Sequence, residues 1–160
     1  MAMDLPPNIP ACIAKASSIY QVPEALIKAI MHVESHGKPD ARNINKNGSE
    51  DLGLMQINSI WLPELKKYRI TRAKLLNNSC LNVAVGTWIF SGYYKQFGDY
   101  TRAIRAYNAG PNNPKGGYAY ARKVILQWHY YHNLRYNKQV TAPQRTRVVL
   151  ADPIVATPIE

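Results

Sequence analysis

Asp51-Leu52-Gly53-Leu54-Met55-Gln56-Ile57-Asn58-Ser59 sets an acid ahead of an apolar run in which two amides, Gln56 and Asn58, recur. The apolar residues of such a run turn inward, and the amides are left to bond polar groups. The segment therefore reads as the wall of a cleft as much as a piece of core. Upstream, Arg42 to Asp51 is polar and contains Asn47-Gly48, a reverse-turn signal that supports a short hairpin or loop. Asp51 itself has two readings at this point. It is either a second acid facing the cleft, or a turn residue or helix N-cap ahead of Leu52-Gly53-Leu54, since Asp is favoured at both positions.

The other acid in polar company is Glu34, in His32-Val33-Glu34-Ser35-His36. As a helix, Pro23 to Glu34 places Leu26, Ile30 and Val33 on one stripe, with Ile27, Met31 and Glu34 along its edge. The carboxyl group leaves the helix at the border of the buried face, where partial desolvation disfavours the anion and raises the pKa. A carboxyl that stays protonated near neutral pH can protonate a leaving oxygen, while a second carboxylate meets positive charge at the carbon left behind. The plain alternative is a surface Glu near a helix end. His32 and His36 flank Glu34, but the order His-Val-Glu-Ser-His is not His-Glu-x-x-His and no third ligand lies nearby, so no metal site is expected.

Around these acids the chain reads as helical. Ile13 to Tyr20 and Pro23 to Glu34 form consecutive helices, with Pro23 suited to a first turn and Gly37 to a stop. Leu81 to Phe97 is a long apolar-rich helix, Asp99 can cap Arg102 to Tyr107, and Tyr118 to about Leu134 supplies a final helix. The predicted fold is predominantly α, of an α+β kind, with the polar hairpin or loop beside the cleft. The expected divisions are an N-terminal segment at 1–10, one domain at 11–136 and an extended tail at 137–160, where recurring prolines break any period. A chain of 160 residues, 46% hydrophobic and 19% charged, suits one globular core. No run approaches the ~20 apolar residues that span a bilayer. Met1-Ala2-Met3-Asp4 has neither a basic n-region nor an apolar h-region, which reads as a start partly foreign to the native product, left where an export signal was removed.

Glu34-Ser35, then Gly53-Leu54-Met55-Gln56-Ile57-Asn58, then Ala106-Tyr107-Asn108-Ala109-Gly110, then Tyr120-Ala121-Arg122-Lys123-Val124 resemble, in that order, the motif series of the lytic transglycosylases with a lysozyme-like fold. The likeness runs from about Cys12 to about Trp128 and is greatest to the small transglycosylases that accompany secretion, conjugation and pilus machines. It implies a lysozyme-like fold and cleavage of the β-1,4 bond between N-acetylmuramic acid and N-acetylglucosamine in peptidoglycan. A 1,6-anhydromuramyl product, no metal or organic cofactor, and local opening of the wall for such an apparatus are further implications. Glu34 would be the acid, with Ser35 beside it as a substrate contact and Gln56 lining the adjoining subsite; Asn58 is a less defined contact. Asn108 would touch substrate, with Tyr107 next to it, and the Tyr of the last motif would hold the acid. The Tyr-x-x-Lys-Val spacing assigns that role to Tyr120, with Tyr118 as the competing choice.

The stretch around Asp51 also resembles the segment carrying the second carboxylate of animal-type lysozymes. That likeness implies oxocarbenium stabilisation or direction of water, and hydrolysis as the alternative outcome. Similar secretion-associated enzymes carry cysteines in the contexts of Cys12 and Cys80, which implies a bridge between the first helix and the middle of the fold in an exported chain; in a reducing compartment the pair would be buried thiols. The resemblance points to glycan strands and components of a wall-spanning machine as partners of a monomer in the periplasm or outside the cell. A net charge of +10 favours anionic partners of any kind. A noncatalytic wall-binding or nucleic-acid-binding protein is thus a further reading, with Tyr93-Tyr94-Lys95 and Arg122 to Arg135 as its basic and aromatic stretches, although no recognised nucleic-acid module accompanies them.

Overall fold

The structure, a computed structural model, describes residues 1–140. Seven helices and a three-stranded sheet follow in the order α1 (Ile9–Tyr20), α2 (Glu24–Ser35), β1 (Arg42–Ile44), β2 (Glu50–Leu52), β3 (Ile57–Asn58), α3 (Leu62–Leu65), α4 (Arg72–Asn77), α5 (Ser79–Phe97), α6 (Tyr100–Ala109) and α7 (Tyr118–Val140). The expected helix-rich α+β architecture with a polar hairpin is the one observed.

α5 lies through the middle, against α1 on one side and α6 on the other, while α2 packs along α7. Phe90, Leu26, Ile27, Ile30 and Met31 are fully buried between them. Each such side chain contributes about 1.5–3 kcal/mol. An exposed pair such as Lys67–Glu64 is screened by solvent and contributes far less, so the apolar face of α2 decides where Glu34 goes. Cys12 of α1 and Cys80 of α5 form a disulfide with their Cα atoms 5.4 Å apart.

Most boundaries move by one or two residues, and three differences from the sequence reading are larger. α1 starts at Ile9, not Ile13, because Pro10 falls in its first turn, where a missing N–H leaves no bond unmade. Between β3 and α5 the chain forms the short helices α3 and α4, too brief to show a hydrophobic period. α7 runs to Val140 and not Leu134, since no Pro or Gly interrupts 135–140; the first residues of the expected tail are therefore helical, and the rest of it lies outside the described residues. The N-terminal segment is integral to the fold. Met3 and Leu5 pack over Gly37, where a Cβ would come within 2.9 Å of Leu5, and the Met3 N–H donates to the Tyr131 hydroxyl.

The sheet is an antiparallel meander in the order β1-β2-β3, with Asp51 opposite Asn43 on one side and Asn58 on the other. Leu52 and Ile57, the next pair, are buried, so alternation turns Asp51 and Asn58 to the opposite face. Glu50, at the start of β2, is bridged by Arg72 and Arg42, which hold its carboxyl down at about 2.

Candidate active site

A cleft of about 890 Å³ opens between α2, the sheet, the segment 60–64, α5 and the end of α6. Of the residues singled out in the sequence, Glu34, Asp51, Gln56, Asn58, Tyr107 and Asn108 line it, while Ser35 and Tyr120 lie behind its surface.

Glu34 is the penultimate residue of α2. The helix ends at His36, whose left-handed backbone (φ 54°) sends its N–H to the His32 carbonyl, and Gly37 (φ 78°) turns the chain away. Glu34 Oε1 accepts a 2.7 Å hydrogen bond from the Tyr120 hydroxyl. Burial pushes the Glu34 carboxyl up to about 7, with Asp51 adding to the rise and the Tyr120 bond opposing it. Burial, then the Glu34 charge, raises Tyr120 well above the ordinary phenol range, so its hydroxyl remains a donor. Of the two tyrosines it is Tyr120 that reaches Glu34, while Tyr118 is exposed and stacks on Arg105.

Asp51 faces the cleft from β2. Its Oδ1 accepts from the Asn58 amide at 2.9 Å and its Oδ2 from the Asn45 amide at 3.0 Å, and both amides also bond Ser49 Oγ. It caps no helix, so the capping reading fails: Asn58 instead caps the 3-10 turn at Ser59–Trp61 through the Ile60 N–H.

The turn Gly53–Gln56 between β2 and β3 is bolted from three helices. Ser35 of α2 bonds the Leu54 carbonyl at 2.7 Å, Tyr107 of α6 donates to the Met55 carbonyl at 2.7 Å, and the fully buried Asn82 of α5 bonds the Met55 N–H and the Leu52 carbonyl at 2.8 Å each. At Gly86 a Cβ would come within 2.6 Å of Met55, which is why α5 can approach so closely.

These bonds correct the expectation for Ser35 and narrow the one for Gln56. Ser35 is buried and ties α2 to the turn, so its hydroxyl does not reach the cleft. Gln56, in a left-handed conformation (φ 51°), lines the cleft but donates its NH₂ to the Ala41 and Gly53 carbonyls and accepts from the Asn43 amide with its oxygen, so its amide is engaged within the protein. Tyr107 presents its ring to the cleft but its hydroxyl to Met55. Asn108 is exposed, its side chain makes no hydrogen bond among the described residues, and it is open to a ligand.

The sequence reading missed Asn45 and Ser49, which complete the cradle of Asp51, and Trp61, whose ring lines the cleft with its edge against Trp88 and Tyr93. Trp61 follows the amide-bearing run directly, and that position was its available signal. Among the described residues no group of His, Cys, Asp and Glu could hold a metal.

Glycan cleavage needs a protonated acid in a partly dry wall and a polar wall opposite, and the cleft has both. Residues 11–125 match the Transglycosylase SLT domain family. The chain belongs to that family.

The transglycosylase is 36% identical over 138 residues to the invasion protein IagB of Salmonella typhi, covering 85% of this chain and 82% of IagB. To the protein IpgF of Shigella flexneri it is 34% identical over 119 residues, covering 73% of this chain and 78% of IpgF. An inactive mutant of the lytic transglycosylase Slt from Pseudomonas aeruginosa superposes with a TM-score of 0.55 and 24% identity, over 84% of this chain and 24% of that larger one, and shares the fold. The family makes the chain a peptidoglycan lytic transglycosylase, with the cell wall as its substrate. Among the described residues no helix is long and apolar enough to cross a membrane.

Proposed function

We propose that Glu34, in its protonated form, donates to the oxygen between N-acetylmuramic acid and N-acetylglucosamine, and as carboxylate takes back the proton of the muramic C6 hydroxyl. The bond from C1 to the leaving oxygen breaks, a bond from O6 to C1 forms, and the product is a 1,6-anhydromuramyl end made without water. The observation that carries this reading is the half-buried Glu34 carboxyl raised to about 7 with the Tyr120 hydroxyl directed at it. One group can then serve as acid and base in turn near neutral pH.

Asp51, held by Asn45 and Asn58, stabilises positive charge at C1 in this scheme, and Asn108 bonds the sugar. The presence of an acid in that cradle also favours a second reading, in which Asp51 directs a water and the same bond is hydrolysed. The likeness to IagB, an invasion protein, supports a role in opening the wall for a secretion, conjugation or pilus apparatus; the reading includes a monomer acting in the periplasm or beyond.

Digestion of purified peptidoglycan followed by mass spectrometry separates the readings. Anhydro ends that vanish in Glu34→Gln support transglycosylation; reducing ends, heavier by one water, support hydrolysis. Unchanged peptidoglycan would leave a wall-binding protein.

A further inference from the structure

Arg105, in α6, is 6% exposed, and among the described residues no carboxylate pairs with it. A guanidinium so desolvated is retained where its fork is fully bonded. Its Nε donates to the Gly116 carbonyl at 2.9 Å, an Nη donates to the Pro114 carbonyl, and the charged plane lies 3.6 Å from the centroid of the Tyr118 ring. Arg102, nearly one turn earlier, bonds the carbonyls of Pro111 at 2.7 Å and Asn113 at 3.3 Å. Two arginines thus grip four carbonyls of the loop that joins α6 to α7. The grip is close: at Gly117 (φ 78°) a Cβ would come within 2.7 Å of the Arg105 carbonyl oxygen.

That loop delivers α7, and Tyr120 is in the first turn of α7, where the Ala121 N–H bonds the Gly117 carbonyl at 2.9 Å. The first turn of a helix is its least constrained part, because its N–H groups lack intrahelical partners. The position of the Tyr120 hydroxyl therefore depends on what holds 114–118.

We propose that Arg105 is a positioning residue for the acid: by clamping Pro114, Gly116 and Tyr118 to α6 it fixes the first turn of α7 and holds the Tyr120 hydroxyl against Glu34. The inference rests on Glu34 acting as proton donor. Facing Glu34 are Tyr120 from α7, Tyr107 from α6 and Asp51 from β2, with Tyr93 of α5 beyond Tyr107. Arg105 bonds none of them and acts through Tyr120 alone.

The test titrates the Glu34 carboxyl carbon by 13C NMR in the wild type, Arg105→Lys, Tyr118→Leu, Tyr118→Phe, Tyr120→Phe and the double variant Arg105→Lys/Tyr120→Phe. Turnover of soluble peptidoglycan fragments is measured alongside. Lys keeps the charge but loses the fork and the stacking plane. The Tyr120 bond favours the carboxylate, so slackening it moves the Glu34 midpoint above about 7.

Arg105→Lys and Tyr118→Leu are expected to shift the midpoint upward, as Tyr120→Phe does, and to lower kcat by about tenfold with KM little changed. Tyr118→Phe, which keeps the ring face, leaves both unchanged. The double variant titrates like Tyr120→Phe alone. A folded Arg105→Lys with the wild-type midpoint, or a double variant whose shifts add, overturns the proposal. Should Arg105→Lys fail to fold, Tyr118→Leu, on an exposed ring, decides by the same criteria. The titration needs no turnover, so an inactive wild type would count against Glu34 as the acid while the clamp was still judged on its own.

Discussion

On the helical wall of the cleft, Glu34 has its carboxyl largely desolvated and receives one phenolic hydrogen bond; on the hairpin wall, Asp51 has both oxygens met by amide N–H groups in a loop of polar side chains. The two groups are chemically alike. What separates them is the matrix: a packed helix that removes water from one, and a short sheet that supplies dipoles to the other. Burial makes a proton carrier, and a cradle of donors suits a fixed negative charge. The same division appears in how each wall is built, with apolar area fixing α2 and hydrogen bonds fixing the hairpin.

The strongest way to break this contrast is Glu34→Gln. Activity on peptidoglycan should fall by about 10²–10⁴-fold, the usual share of a general acid, with the fold kept. The sign of the stability effect is opposite. A carboxyl whose folded pKa lies at about 7 against 4.5 binds its proton more tightly in the folded state, so its contribution is present below 4.5 and is lost as pH rises through 7. Glu34→Gln should therefore unfold at higher denaturant than the wild type at pH 8, by about 3 kcal/mol, and the gain should shrink towards pH 4.5. Denaturant titrations at the two pH values check it, and a gain that does not depend on pH would remove the desolvation argument.

Asp51→Asn comes next. It keeps the size of the side chain, removes the charge and turns one of its two acceptors into a donor, and turnover should drop by about 10²-fold if Asp51 meets the developing cation. The same change removes a contribution that raises Glu34, so the basic limb of the rate profile should move to lower pH. A limb that stayed in place would mean that the walls do not sense each other.

Asn58→Ala is a smaller perturbation that reaches Asp51 indirectly. It deletes one donor to the carboxylate and the cap on the Ile60 N–H, at about 1 kcal/mol of stability, and should lower kcat several-fold. Asn45→Ala, which spares the cap, should show the kinetic loss with less of the thermal one, and comparison of their melting curves with their turnover separates the two jobs of Asn58.

Much of the helical wall was legible in the sequence because it obeys periodicity. The stripe of Leu26, Ile30 and Val33 placed Glu34 at the edge of a buried face, and Asp99 caps α6 at the Arg102 N–H as its position suggests. The hairpin was legible in outline from Asn47-Gly48. Its chemistry was harder to read, since an amide in a polar run can face a sugar or a carbonyl with equal ease; Gln56 faces carbonyls, and only the fold decides that. Ser35 was misplaced for the same reason. Arg105 had no local signal at all, because the carbonyls it holds lie 9 and 11 residues further along the chain.

The single amide of Asn82 has a consequence for when the enzyme becomes competent. Strands of two and three residues do not persist by themselves, and this sheet is anchored where Asn82 satisfies Met55 and Leu52. Until α2, α5 and α6 have come together, the wall that carries Asp51 lacks the bonds that hold it. A nascent or partly unfolded chain thus has no half-working cleft, and the capacity to cut is tied to completion of folding.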